Sequence, residues 1–207
     1  MEKIVFATKN EGKMVELRKI LADLPVQVVS EKEAGLDVDV VEDGATFEEN
    51  ALKKARAVME QSGRLTLADD SGLEIDYLDK QPGVNSARFM GEKTSYTIKN
   101  QYFIDRLAGV PLEQRTARFV CAAAAAFPDG RTLVARGTIE GYIGYRPQGE
   151  GGFGYDPIFY LPGTETSTAE LSLEAKNKIS HRGKAFSALK KLLKPELEKD
   201  REKGRQE

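Results

Sequence analysis

A chain of 207 residues, 40% hydrophobic and 31% charged, is long enough to bury a real core and too apolar to stay disordered. No run approaches the ~20 apolar residues that span a bilayer, and 31 Lys+Arg against 33 Asp+Glu lack the basic excess that drives non-specific nucleic-acid binding. One cysteine and one histidine exclude an internal disulfide and a His/Cys zinc site, so Cys121 reads as a small buried hydrophobe.

Residues 3–8 have the Ile/Val/Phe content of a buried strand, which leads straight from the first residues and gives no sign of a targeting segment; a cytoplasmic address is expected. A polar turn follows, then an amphipathic helix with Met14, Leu17, Leu21 and Leu24 on one stripe, Asn10 as its N-cap and Pro25 closing it. Residues 26–29 read as a second strand. Thr46-Phe47-Glu48-Glu49 fits a capping box, opening a helix whose Ala51, Leu52, Ala55, Val58 and Met59 face a core until Gly63 ends it. Residues 65–68 form a short strand running into Asp69-Asp70, and residues 73–77 form another.

Residues 95–107 read as a helix. The alanine run at 122–126 is ambiguous alone, but Pro128-Asp129-Gly130 between 116–127 and 132–143 predicts a hairpin of long strands, the floor of a second lobe. Glycines 149, 151, 152 and 154 make a tightly turned approach to Tyr155-Asp156-Pro157, and two helices fill 170–178 and 182–193. The order predicts an α/β fold: a mixed twisted central sheet flanked by helices, in one elongated two-lobed domain over residues 1–194 with a cleft between the lobes. The charged tail, 195–207, is expected to fray from Pro195.

Thr8-x-Asn10-x-x-Lys13 follows a strand and opens a helix, so backbone N–H groups and the helix dipole suit a phosphate there; an ordinary helix cap explains the same residues. Asp69-Asp70-Ser71-Gly72, read at a strand end, pairs carboxylates that call for a cation and would select Mg²⁺ or Mn²⁺, or else forms an Asx-turn with a solvated acid pair. Ser71 lies in no Gly-x-Ser-x-Gly elbow, which argues against a nucleophilic triad with His181. Ser180 could simply cap the last helix, but His181 and Arg182 in its first turn oppose the dipole and invite a bound anion or carbonyl oxygen. The segment 151–157 is either a bulged strand entrance or a stacking platform with Asp156 as acceptor beside it.

Taken in order, Thr8-Lys9-Asn10-Glu11-Gly12-Lys13, the stretch 43–51, Ala68-Asp69-Asp70-Ser71-Gly72, Pro82-Gly83-Val84-Asn85-Ser86-Ala87-Arg88, the stretch 151–157 and 176–183 together resemble the inosine/xanthosine triphosphate pyrophosphatases nearly end to end. That resemblance implies hydrolysis of ITP, dITP and XTP to the monophosphate and pyrophosphate, a homodimer, and a Mg²⁺ requirement with Mn²⁺ as substitute. Position by position it implies that Thr8, Lys9, Asn10, Glu11, Gly12 and Lys13 hold phosphates, with Lys54 as an added contact. Asp70 would bind metal and act on the attacking water, and Ser71 would touch substrate. Phe153, Gly154, Tyr155 and Asp156 would receive the base, Lys176 would approach the nucleotide, and His181 with Arg182 would read the purine edge.

Many bacterial relatives carry two adjacent acids where Val41 here precedes a single Glu42, so Asp70 ranks above Glu42 as metal ligand. The expected partner is a purine nucleoside triphosphate rather than nucleic acid or membrane. The rival readings are a pyrophosphatase of the septum-formation-inhibitor type, against which His181 and Arg182 argue, and a non-catalytic nucleotide-binding module, against which the paired carboxylates argue.

Overall fold

Eleven regular elements alternate along the chain: β1 (Glu2–Phe6), α1 (Glu11–Ile20), β2 (Val26–Ser30), α2 (Phe47–Ser62), β3 (Thr66–Ile75), α3 (Tyr96–Arg106), β4 (Thr116–Ala126), β5 (Thr132–Ile143), β6 (Phe159–Tyr160), α4 (Leu173–Ile179) and α5 (His181–Lys203). They come from a computed structural model that describes residues 2–203. One six-stranded sheet runs in the order β2-β1-β3-β4-β5-β6. β1 lies parallel to β2 and β3, and the remaining pairs are antiparallel, which makes the sheet mixed as expected.

Helix boundaries follow the local signals. Asn10 Oδ1 accepts from the Lys13 amide, Thr46 Oγ1 accepts from the Glu49 amide, and Gly63 ends α2 in the left-handed conformation at φ 62°. The alanine run of β4 is a strand even though alanine favours helix, because its neighbours β3 and β5 satisfy its backbone on both sides. Its side chains alternate between two cores. Cys121, Ala123 and Ala125 face α1 and α5, and Val120, Ala122, Ala124 and Ala126 face α2. A third cluster, including Leu73, Phe103, Phe119 and Phe159, builds the second lobe from the far ends of β3, β4 and β5 with α3.

Four expectations change. α1 stops at Ile20, with Leu21 as its C-cap, short of the end expected at Pro25. The strands expected at 65–68 and 73–77 are one, β3, paired with β4 along its ten residues, so Asp69-Asp70-Ser71-Gly72 lies mid-strand rather than at a strand end or in an Asx-turn. Gly72 allows this continuity: a Cβ there would overlap the Gly83 carbonyl oxygen, which crosses the strand in a 3₁₀ turn at Gly83–Asn85. The helix expected to begin near 170 starts at Leu173 after a 3₁₀ turn, Thr168–Glu170. α5 does not fray at Pro195; Leu193 and Leu197 are buried in the α1/α5 core and Glu196 pairs with Arg131, which offsets the hydrogen bond that proline removes. Residues 204–207 of the expected tail lie outside the described residues.

The topology opens the cleft. β1 pairs with β3 only at Val5↔Thr66 and Phe6↔Leu67, then turns into α1 while β3 runs on. The carboxyl end of β1 therefore stands beside an unpaired edge of β3, the crevice in which open α/β sheets bind ligands.

Candidate functional site

That crevice continues into a cleft of about 640 Å³ bounded by the N-terminus of α1, the middle of β3, α2, the glycine loop before β6, and the α4–α5 junction. Thr8, Lys9, Asn10 and Lys13 line one end. The first turn of α1 points its amides there, with Asn10 occupying only the Lys13 amide. Lys9 is exposed and pairs with Asp37 at 2.7 Å. Glu11 points to solvent, while Gly12 serves packing: a Cβ there would stand 3.0 Å from the Phe153 ring.

The two neighbouring aspartates do not converge. Strand alternation sends Asp69 toward α1 and α5 and Asp70 toward α2. Asp69 Oδ1 pairs with Lys13 Nζ at 3.0 Å, and its Oδ2 accepts from Ser71 Oγ at 2.8 Å and from Arg182 at 3.2 Å. Burial would push its carboxyl up, but Lys13, Arg182 and Lys54 outweigh it and hold Asp69 far below the usual carboxylate range. Asp70, also buried, has weaker company: Asn50 Nδ2 donates to Oδ2 at 3.0 Å, the Ser71 amide to Oδ1 at 3.0 Å, and Lys54 Nζ stands 3.9 Å away. Burial raises its pKa; Lys54 opposes this and the charge of Glu42 reinforces it. Glu42 shares Lys54 at 3.0 Å and takes Arg88 Nη1 at 3.0 Å, so burial is outweighed and its carboxyl lies low.

Asp70 and Glu42 thus offer two hard oxygen donors in the cleft, and among the described residues no three His, Cys, Asp or Glu side chains form a closed metal cage. Mg²⁺ is commonly held by one or two carboxylates together with substrate phosphates and water, and an acid pair across from a phosphate-suited helix N-terminus fits that mode.

The other end is aromatic and cationic. Phe153 is covered by Lys176 Nζ at 4.5 Å and Arg182 Cζ at 5.4 Å from its ring centroid. The turn that presents it relies on Gly152 and Gly154, at φ 71° and 69°. Asp156 accepts from the Phe153 amide, from Thr168 Oγ1 and from Lys176 Nζ, the last at 2.8 Å. Tyr155 donates to the Ser86 carbonyl, and Asn100 of α3 donates to that of Gly154. Beneath them Glu16 bridges Lys176 at 3.0 Å and Arg182 at 2.6 Å. Ser180 Oγ accepts from the Gly183 amide, so the serine does cap α5. His181 opens that helix, 6% exposed, stacked on Phe119 with centroids 4.9 Å apart. Burial first, then Arg182 and Lys176, keep it neutral.

The cleft gathers Thr8, Lys9, Asn10, Lys13, Glu42, Lys54, Asp70, Ser71, Phe153, Gly154, Tyr155, Asp156, Lys176, His181 and Arg182; Glu11 and Gly12 are not in its lining. Sequence reasoning missed Glu16, Asn50, Arg88 and Phe119 as supports. Glu16 had a signal, a charge beside Leu17 on the apolar stripe of α1, and Asn50 another, an amide next to Ala51 on the inner face of α2.

The model of the Ham1 family matches residues 4–192 of this chain. A dITP/XTP pyrophosphatase of Desulforamulus reducens is 51% identical over 191 residues, covering 92% of this chain and 95% of that protein. One of Geobacillus kaustophilus is 49% identical over 189 residues, covering 91% and 93%. The Ham1 protein of Staphylococcus aureus superposes with a TM-score of 0.83 at 40% identity over 94% of this chain and 100% of that one, and a Coxiella burnetii HAM1 protein with 0.84 at 38% over the same shares. A family model matched over most of the chain, a superposable fold and identity along nearly the whole length leave one assignment: the chain belongs to the Ham1 family.

Proposed function

We propose that this protein hydrolyses non-canonical purine nucleoside triphosphates, ITP, dITP and XTP, to the monophosphate and pyrophosphate, and so cleanses the nucleotide pool. The observation that carries this reading is the division of one cleft into an acid-and-amide end and an aromatic, cationic end, with Asp70 at the first and His181 at the second. The relatives named dITP/XTP pyrophosphatase support the same chemistry.

The first-turn amides of α1 that Asn10 leaves free, those of Glu11 and Gly12, and the ammonium of Lys13 receive the phosphates. Mg²⁺, or Mn²⁺, held by Asp70 and Glu42 together with the phosphates, would neutralise charge developing on the leaving pyrophosphate. Asp70, its pKa raised by burial, orients the attacking water at the α-phosphorus and takes its proton. Lys54, charged and buried between Glu42 and Asp70, holds that carboxylate in place. Phe153 stacks on the base, backed by Gly154, Tyr155 and Asp156. His181 donates to the 6-oxo group that inosine and xanthosine carry where adenosine carries an amine. Arg182 is engaged with Asp69, Glu16 and Ser71, so it reaches the purine edge by exchanging one of these bonds.

The protein acts on this small molecule as a homodimer in the cytoplasm, without nucleic acid or membrane. Among the described residues no helix is long and apolar enough to cross a membrane, and Met90, Tyr96 and Ile98 leave exposed apolar surface for a second copy. Light scattering on the purified chain reads the assembly state; a monomer at working concentration rules the dimer out.

Incubation with ITP, XTP, GTP, ATP and TTP plus Mg²⁺, with product analysis, tests the activity. Monophosphate and pyrophosphate from ITP and XTP are expected. Orthophosphate would move the cleavage site away from the α-phosphorus, and equal turnover of ATP and ITP would remove base reading. Dominant turnover of TTP would favour the septum-formation-inhibitor type.

A further inference from the structure

We infer that Phe119 is a positioning residue for base selection: it fixes the ring plane of His181 so that one donor, Nε2–H, faces the nucleobase. The inference rests on the reading of the cleft as a 6-oxopurine site.

Phe119 sits on β4 and is buried. Its ring stacks on the imidazole at 22°, and is itself backed by Phe159 with centroids 4.4 Å apart. The imidazole therefore lies against a wall that two strands hold in place. Its Nδ1 is buried without a hydrogen-bond partner among the described residues. A neutral imidazole carries one N–H, and placing it on Nδ1 would bury a donor with no acceptor. Placing it on Nε2 buries only a lone pair. Burial and the charges of Arg182 and Lys176 keep the ring from taking a second proton.

Among the described residues Nε2 has no hydrogen-bond partner, and His181 lines the cleft. The site thus presents a donor without an acceptor. A 6-oxo group satisfies it, whereas a 6-amino group meets it with a second donor. Phe119, which carries no polar atom, contributes by keeping that N–H on line; a side chain without a flat face lets the ring tilt and the donor miss.

His181 is the chain's one histidine, so ¹⁵N-histidine NMR needs no assignment. In the unliganded protein the two-bond correlations should follow the Nε2–H tautomer and hold across neutral pH. Phe119→Leu should raise KM for ITP about tenfold with kcat nearly unchanged, leave KM for ATP in place, and blur the tautomer pattern, while Phe119→Tyr restores all three. An Nδ1–H or tautomer-averaged pattern in the unaltered protein overturns the inference, even if the leucine variant does not fold. So does a folded Phe119→Leu protein with unchanged KM for ITP. Absence of ITP turnover together with the Nε2–H pattern would instead overturn the reading of the cleft, leaving the ring geometry as found.

Discussion

Asp69 and Asp70 are adjacent in sequence and opposite in circumstance. Asp69 anchors Lys13 and Arg182 inside the protein, whereas Asp70 faces the cleft with a single cation at 3.9 Å. The two should therefore fail differently. Asp70→Asn is expected to lower kcat by about 10²–10⁴-fold, the range typical of a lost general base, while the unfolding midpoint stays within a few degrees. Asp69→Asn leaves the buried Arg182 and the part-buried Lys13 short of their partner and should cost about 3–5 kcal/mol, read by denaturant unfolding. Equal loss of stability in both variants would show that the division is wrong. Asp69 also sets a pH dependence: its folded pKa lies below the ordinary 3.8, so its stabilisation is complete above that value and disappears as pH falls below it. An acid titration of stability should steepen below about pH 4 in the unaltered protein and flatten in Asp69→Asn.

At the scale of elements, periodicity and capping residues were enough to place α1, α2, α3 and the β4–β5 hairpin, because each of those signals is local. The middle of β3 is not locally encoded: Asp69, Asp70, Ser71 and Gly72 look like turn residues, and only pairing with β4 keeps them extended. The run of α5 past Pro195 is hidden for the same kind of reason: proline opposes a helix locally, and the packing that overrides it comes from residues distant in sequence, Arg131 among them. Leu197→Ala should accordingly cost about 2–4 kcal/mol, the usual range for a buried leucine, as measured by thermal or urea unfolding. A change within 0.5 kcal/mol, about the scatter of surface substitutions, would restore residues beyond 194 to the status of a loose tail. The site was legible where a motif carried it. Its supports were not: Arg88 reaches Glu42 from 46 positions away, a pairing no local spacing encodes.

Across the whole molecule, charge runs in an unbroken chain, buried beyond the part-exposed Lys13, from one end of the cleft to the other: Lys13 to Asp69, Asp69 to Arg182, Arg182 to Glu16, Glu16 to Lys176, and Lys176 to Asp156. Signs alternate at every step, so each ion is desolvated but paired. Glu16 is its centre and faces two cations that would otherwise repel across the Phe153 ring. Burial alone would raise its carboxyl, yet Arg182 and Lys176 hold it below the ordinary range. Glu16→Gln keeps the shape and removes the charge, leaving Arg182 and Lys176 with one carboxylate each. Unfolding free energy should fall by about 3 kcal/mol, within the range for breaking a buried pair. The same substitution should raise KM for ITP more than it lowers kcat, because the disturbed groups surround the base platform and not Asp70. A stability loss with unchanged KM would make the chain a scaffold only; a loss of kcat at constant KM would mean that it reaches Asp70, through Asp69 on the same strand.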